Sequence, residues 1–105
     1  MTDSIEVTRK AGIYHPNVQK VVVPQQKNGL VYALINDSLL EMRTPAAHKV
    51  GFALVRQAGE ASPSENIVLL INGVALNFPP KGAKQFGAAL LRRADDADDF
   101  QKRVH

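Results

Sequence analysis

The 105-residue chain contains no cysteine. That removes a disulfide framework, a thiolate zinc site and a cysteine nucleophile, and it favours a reducing, cytoplasmic setting. Also missing is any apolar run near the roughly 20 residues a membrane-spanning helix needs. The opening MTDSIEVTRK has no apolar core of the kind a secretory leader carries, so no such leader is expected. There is no G-x-S-x-G elbow, P-loop, G-x-G-x-x-G or H-E-x-x-H. Histidine is limited to His15, His48 and His105, without a ligand spacing. The expectation is therefore a non-enzyme without cofactor or metal.

What is present is ordinary globular material: 45% hydrophobic and 22% charged residues, enough for one domain with one modest core. A net charge of +3 permits nucleic-acid contact but is too small to argue for it.

The chain resembles itself. Residues 31–61, VYALINDSLLEMRTPAAHKVGFALVRQAGEA, lie over residues 67–97, IVLLINGVALNFPPKGAKQFGAALLRRADDA, without a gap. Eleven of the 31 positions are identical, where average composition would give roughly two. An internal duplication is the reading, with two copies forming one pseudo-symmetric domain.

Each copy reads as strand, tight turn, strand, helix. Asn36-Asp37 and Asn72-Gly73 suit two-residue type I′ turns, whose central residues both need positive φ. Such turns place Ile35 opposite Ser38, Ala33 opposite Leu40 and Val31 opposite Met42. In the second copy Ile71 faces Val74, Leu69 faces Leu76 and Ile67 faces Phe78. Side chains alternate along a strand, so these residues share one apolar, core-facing side. The other side carries Leu34, Leu39, Leu70 and Ala75, and calls for cover by the N-terminal segment or another subunit.

Thr44-Pro45 fits an N-cap followed by proline, and Pro79-Pro80 opens the second helix. Ala47, Val50, Gly51, Leu54, Ala58 and Ala61 form one helical stripe, matched by Ala83, Phe86, Gly87, Leu90, Ala94 and Ala97. Glycine inside a helix costs about 1 kcal/mol relative to alanine. Gly51 and Gly87 therefore point to close approach where the two helices cross; the alternative is a neutral glycine carried into both copies.

The fold expected is α+β: an antiparallel sheet from two tandem ββα units with both helices on one face. As a single domain over 1–105, it comprises an N-terminal strand and turn segment over 1–29, a first unit over 30–61 and a second over 66–103. Within the first segment, SIEVTR and VQKVVV read as strands, placed on a sheet edge or over the second sheet face, with turns at 15–17 and 27–29. Residues 59–66 read as a flexible connection, and the KRVH end as frayed. Asp95, Asp96, Asp98 and Asp99 lack the spacing of a calcium loop and read as a solvated helical face, with Asp98–Lys102 and Asp99–Arg103 as i,i+4 pairs. His48 aligns with Lys84 and reads as an exposed polar position.

The best functional lead is the outer side of the first helix, where Lys49, Phe52 and Arg56 project away from the Leu54 stripe. An aromatic flanked by two cations suits a partner contact. In the second helix Lys84, Arg92 and Arg93 are basic, and Arg56 and Arg92 agree between the copies. Arginines so placed can grip carboxylates on a protein or phosphates on nucleic acid. The competing reading has Phe52 covered by the N-terminal segment and the arginines merely solubilising.

The run INGVALNFPPKGAKQFGAALLRRADDAD resembles the closing segment of small uncharacterised bacterial and phage ββα proteins, with hairpin, Pro-led helix start and Ala-rich helix. The resemblance covers roughly the last third and implies an accessory protein of bacterial or phage type, without transferring any site residue. The resulting expectation is a small non-catalytic interaction module, adaptor or inhibitor, binding a protein through Lys49, Phe52, Arg56, Lys84, Arg92 and Arg93. A nucleic-acid binder contacting phosphates through the basic helix faces is the alternative. Homodimerisation would cover the apolar second face.

Overall fold

A computed structural model of the chain describes residues 5–11, 17–25 and 29–104. His15, His105, the first residues of the turns expected at 15–17 and 27–29, and the Arg103 side chain lie outside the described residues. The fold is α+β, with strands β1 (Ile5–Ala11), β2 (Val21–Val22), β3 (Leu30–Ile35) and β4 (Ser38–Arg43), then helix α1 (Thr44–Glu60). Strands β5 (Glu65–Ile71) and β6 (Val74–Phe78) and helix α2 (Pro80–Val104) complete it.

The strands form two antiparallel three-stranded sheets, β1-β5-β6 and β2-β3-β4, rather than the single sheet expected. The N-terminal segment explains the difference. β1 pairs with β5, placing Ile5 opposite Ile71, while β2 pairs with β3, placing Val21 opposite Ile35. Each hairpin thus has its first strand occupied on both sides, so the two hairpins do not meet through that strand. The N-terminal strands extend the sheets at their edges; on the second face of the β2-β3-β4 sheet Leu39 remains 60% exposed and Leu34 is exposed beside it, whereas Val68 on the second face of the other sheet is buried.

Hairpin pairing follows the turns. Ile35 faces Ser38 and Val31 faces Met42; Ile71 faces Val74 and Ile67 faces Phe78. Asn72 and Gly73 are both left-handed, at φ 50° and 86°, as a type I′ turn requires. In the first turn Asn36 is left-handed at φ 56° but Asp37 is not, so that turn departs from type I′.

The inward faces of both sheets and the inner stripes of both helices make one core, including Val31, Ile67, Leu69, Phe78, Leu54 and Leu90. The helices cross between sheets. α1, which follows the β3-β4 hairpin, packs beside β1 of the other sheet. α2, which follows β5-β6, packs against β3 and beside β2. Neither hairpin-helix segment could bury its apolar stripe alone, so burial ties the two halves together.

Where the antiparallel helices meet, two glycines allow main chain to approach main chain. A Cβ on Gly51 would stand 2.9 Å from Leu91 Cγ and 3.0 Å from the Gly87 carbonyl oxygen. One on Gly87 would stand 2.7 Å from the Gly51 oxygen and 3.0 Å from Leu54 Cβ. Carbon contacts are most favourable near 3.5–4.0 Å, so neither position has room for a methyl group.

Three local expectations change. Thr44 is inside α1, whose N-cap is Arg43 in extended conformation with no side-chain cap. The Thr44 side chain lies instead beside Asp98 of α2 and favours its ionised carboxylate. The connection between α1 and β5 is only residues 61–64, closed by Ser62 N–H donating to Glu65 Oε1 at 2.8 Å and by Glu65 N–H to the Ser62 carbonyl at 3.0 Å. That arrangement, led by the Ser62 N–H, lowers the Glu65 pKa below the ordinary glutamate value. The C-terminal residues continue α2 to Val104 rather than fraying at Lys102.

Candidate interaction surface on α1

α1 turns a narrow face to solvent, and Lys49, Phe52 and Arg56 lie on it together. Helical spacing explains this: Val50, Gly51 and Leu54 point into the core, leaving positions 49, 52 and 56 on the opposite arc. Phe52 is 63% exposed, so the described residues of the N-terminal segment do not cover it. The Arg56 side chain is 77% exposed, with its Nε 3.7 Å from Glu60 one turn on, a loose pair that leaves the guanidinium largely accessible.

Phe52 is supported from one side. The His48 ring stacks near it with centroids 6.4 Å apart and planes 23° from parallel. His48 is itself anchored, with Nε2 lying 3.2 Å from Asp98 Oδ2 and 3.6 Å from Asp95 Oδ1 of α2. It is half-buried between the helices, not the exposed polar position the alignment with Lys84 suggested. The carboxylates that meet it come from a stretch 50 residues away, which spacing within one helix cannot reveal. The Thr44 hydroxyl, followed by the His48 ring, holds the Asp98 carboxyl below the ordinary aspartate range. Asp98 therefore leaves the solvated face assigned to it and works across the helix interface. Among the described residues no group of His, Asp and Glu side chains is arranged to hold a metal.

The same contacts complete α1 electrically. Its first turn has no acidic residue and its last turn no basic one. Asp98 supplies negative charge beside the N-terminal turn, and Arg9 of β1 donates through Nη1 to the Glu60 carbonyl at 2.8 Å at the other end. Opposite charges at helix ends favour the helix by roughly 0.3–1 kcal/mol each when exposed.

The remaining basic residues divide. Lys84 and Arg92 are exposed on α2. Arg93 is half-buried: its Nε donates to the Val23 carbonyl at 3.1 Å and its Nη1 to Asp96 Oδ2 at 3.2 Å. Those bonds hold the segment after β2 against α2, a structural task that the sequence pattern did not signal. Arg92 and Arg93 share the wall of a cavity between α2 and residues 18–23, whereas Lys49, Phe52 and Arg56 stand on α1.

Asn36 also does more than turn the chain. Its Oδ1 accepts from the N–H groups of Gln19 (2.8 Å) and Lys20 (3.2 Å), and its Nδ2 donates to the Asn17 carbonyl at 3.2 Å. Asn17 in turn reaches the β6 edge, accepting from Asn77 N–H at 2.8 Å and donating to the Ala75 carbonyl at 3.1 Å. The run from Asn17 to Lys20 is thereby stitched between the two sheets. No described helix is long and apolar enough to cross a membrane. No protein-family model, curated protein or solved structure matches the chain.

Proposed function

We propose that the protein is a small non-catalytic interaction module that binds an acidic protein surface through the outer face of α1. The observation that carries this reading is Phe52, 63% exposed between Lys49 and Arg56. Aromatic residues and arginine are enriched at protein interfaces, which fits Phe52 and Arg56, and Lys49 suits the polar rim of such a patch. The His48 ring restricts Phe52 on one side before any partner arrives, and less ordering on binding favours affinity. Lys84 and Arg92 on α2 would add long-range attraction to an acidic partner rather than direct contact.

An accessory role in the cytoplasm of a bacterium, or of a phage-infected one, agrees with the missing cysteines and the C-terminal resemblance. Duplication is the simplest origin for the 36-residue offset, by which Ile35 and Ile71 end strands and Thr44 and Pro80 begin helices. A second copy of the chain could cover Leu34 and Leu39.

The phosphate-binding alternative is weaker because Arg93 is held by Val23 and Asp96. Capture from bacterial lysate separates the two readings. A protein partner is expected to survive nuclease and to be lost with Phe52→Ala, for which truncation of a central aromatic costs about 2 kcal/mol or more, roughly 30-fold in affinity. Recovery of nucleic acid alone would sink the reading.

A further inference from the structure

We propose that the cavity between α2 and residues 18–23 binds a small amphiphilic monoanion, an apolar body bearing one carboxylate. This inference is independent of the α1 surface. The cavity measures about 400 Å³, within the range of sites that hold small molecules. Phe78 and Phe86, stacked at 5.4 Å between centroids and buried, form its floor with Ala89 and Val21 beside them. Around these rings stand Lys20, Arg92 and Arg93, and among the described residues no acidic side chain lines the cavity.

The wall is held in place by residues already described. Asn36 fixes Gln19 and Lys20, and Arg93 fixes the Val23 carbonyl. Arg93 is partly neutralised by Asp96, leaving Lys20 and Arg92 as exposed cations at the rim. The first turn of α2 contains no acidic residue, and Gly82 of that turn borders the cavity, so the helix dipole adds to the positive potential. The aromatic and aliphatic part of the lining suits an apolar body, and the excess of cations at the rim, with Asp96 offsetting only Arg93, favours an anion over a neutral or cationic analogue.

A comparison within the molecule sharpens this. By the 36-residue offset, Ala46, Lys49, Val50 and Ala53 correspond to Gly82, Gln85, Phe86 and Ala89, and they line a smaller cavity of about 240 Å³ with Ile5 and Val7. Among the described residues that counterpart is lined by one cation, Lys49, and it offers less volume than small-molecule sites usually do. One ligand per chain is expected, not two.

The test is an amide NMR titration with decanoate, held below its micelle concentration, beside decanol as the uncharged analogue. Saturable one-to-one binding is expected, with shifts centred on Val21, Gly82, Phe86 and Ala89. Decanoate should bind more tightly than decanol, and less tightly as salt rises. Lys20→Gln and Arg92→Gln should each weaken decanoate about two- to fivefold, as exposed ion pairs do. Ala89→Phe, which fills the cavity, should abolish binding. If that variant fails to fold, Lys20→Glu combined with Arg92→Glu tests the same point from the surface and should remove the preference for decanoate. Shifts centred on Phe52 or Leu39, equal binding of decanol, non-saturating partition, or binding unchanged in these variants would overturn the proposal.

Discussion

Replacing Gly87 with alanine sets two effects of known sign against each other. Alanine favours an exposed helix interior over glycine by about 1 kcal/mol. Against this, the new methyl would stand 2.7 Å from the Gly51 oxygen, 2.9 Å from Val55 Cγ2 and 3.0 Å from Leu54 Cβ. Val55 could rotate, but the carbonyl oxygen and the Cβ of buried Leu54 cannot yield unless the helices separate by several tenths of an ångström. Overpacking of that kind costs about 1–3 kcal/mol, to which separation adds lost contacts along the interface. The expected net result is destabilisation of about 1–2 kcal/mol, or a melting temperature lower by roughly 4–16 °C for a domain of this size. Gly51→Ala should be milder, because its closest obstacle is the movable Leu91 side chain at 2.9 Å. Gly59, near the end of α1 with nothing within 4 Å of an added Cβ, is the internal control, and Gly59→Ala should stabilise by a few tenths of a kcal/mol. Thermal unfolding followed by circular dichroism gives all three values. A Gly87→Ala protein as stable as Gly59→Ala would refute close helix contact as the reason for the glycines.

Other outcomes follow from the same contacts. Asn36→Gly should lose roughly 1–2 kcal/mol in urea unfolding, because the left-handed turn is kept while the bonds to residues 17–20 vanish; Asn36→Ala should lose about 1 kcal/mol more for the turn itself. Faster amide exchange at Gln19 and Lys20 in both variants checks the cause. Asp98 has its pKa lowered by folding, so its contribution is present above the unfolded value near 4 and is lost as pH falls through the folded one. Asp98→Asn should thus be less stable than the parent at pH 7, with the gap closing as the pH is taken below about 4. Leu54→Ala and Leu90→Ala, both at fully buried positions, should each cost about 2–5 kcal/mol in the same urea assay.

Local rules carried the sequence reading a long way. Two-residue turns determine the pairing of every hairpin residue, so Asn36-Asp37 and Asn72-Gly73 were enough to sort inner from outer faces. The helical stripes and the Gly51–Gly87 crossing were legible because a costly residue recurred in one register. The division into two sheets was not, since β1 and β2 are short, lie ahead of the hairpins they join, and could have sat on an edge or over a face. Lys49, Phe52 and Arg56 could be placed on one arc of α1 from spacing alone. What surrounds them could not: the approach of Asp98 to His48 and of Arg93 to Val23 depends on how two distant segments pack. The doubled asparagine at the turns was a usable signal for the clamp on residues 17–20, since asparagine adds a donor and an acceptor that glycine lacks.

Whether the α1 face meets a partner can be decided by photo-crosslinking in bacterial cells, with p-benzoylphenylalanine placed at position 52, 39 or 74. These three apolar residues are nearly equally exposed, at 63%, 60% and 61%, so exposure alone would give equal yields. The account predicts a discrete adduct to a different protein from position 52 that persists after nuclease, with no such adduct from position 74 and only a second copy of the chain, where any, from position 39. Equal adducts from all three positions, or none from position 52 while position 39 or 74 reacts, would contradict it.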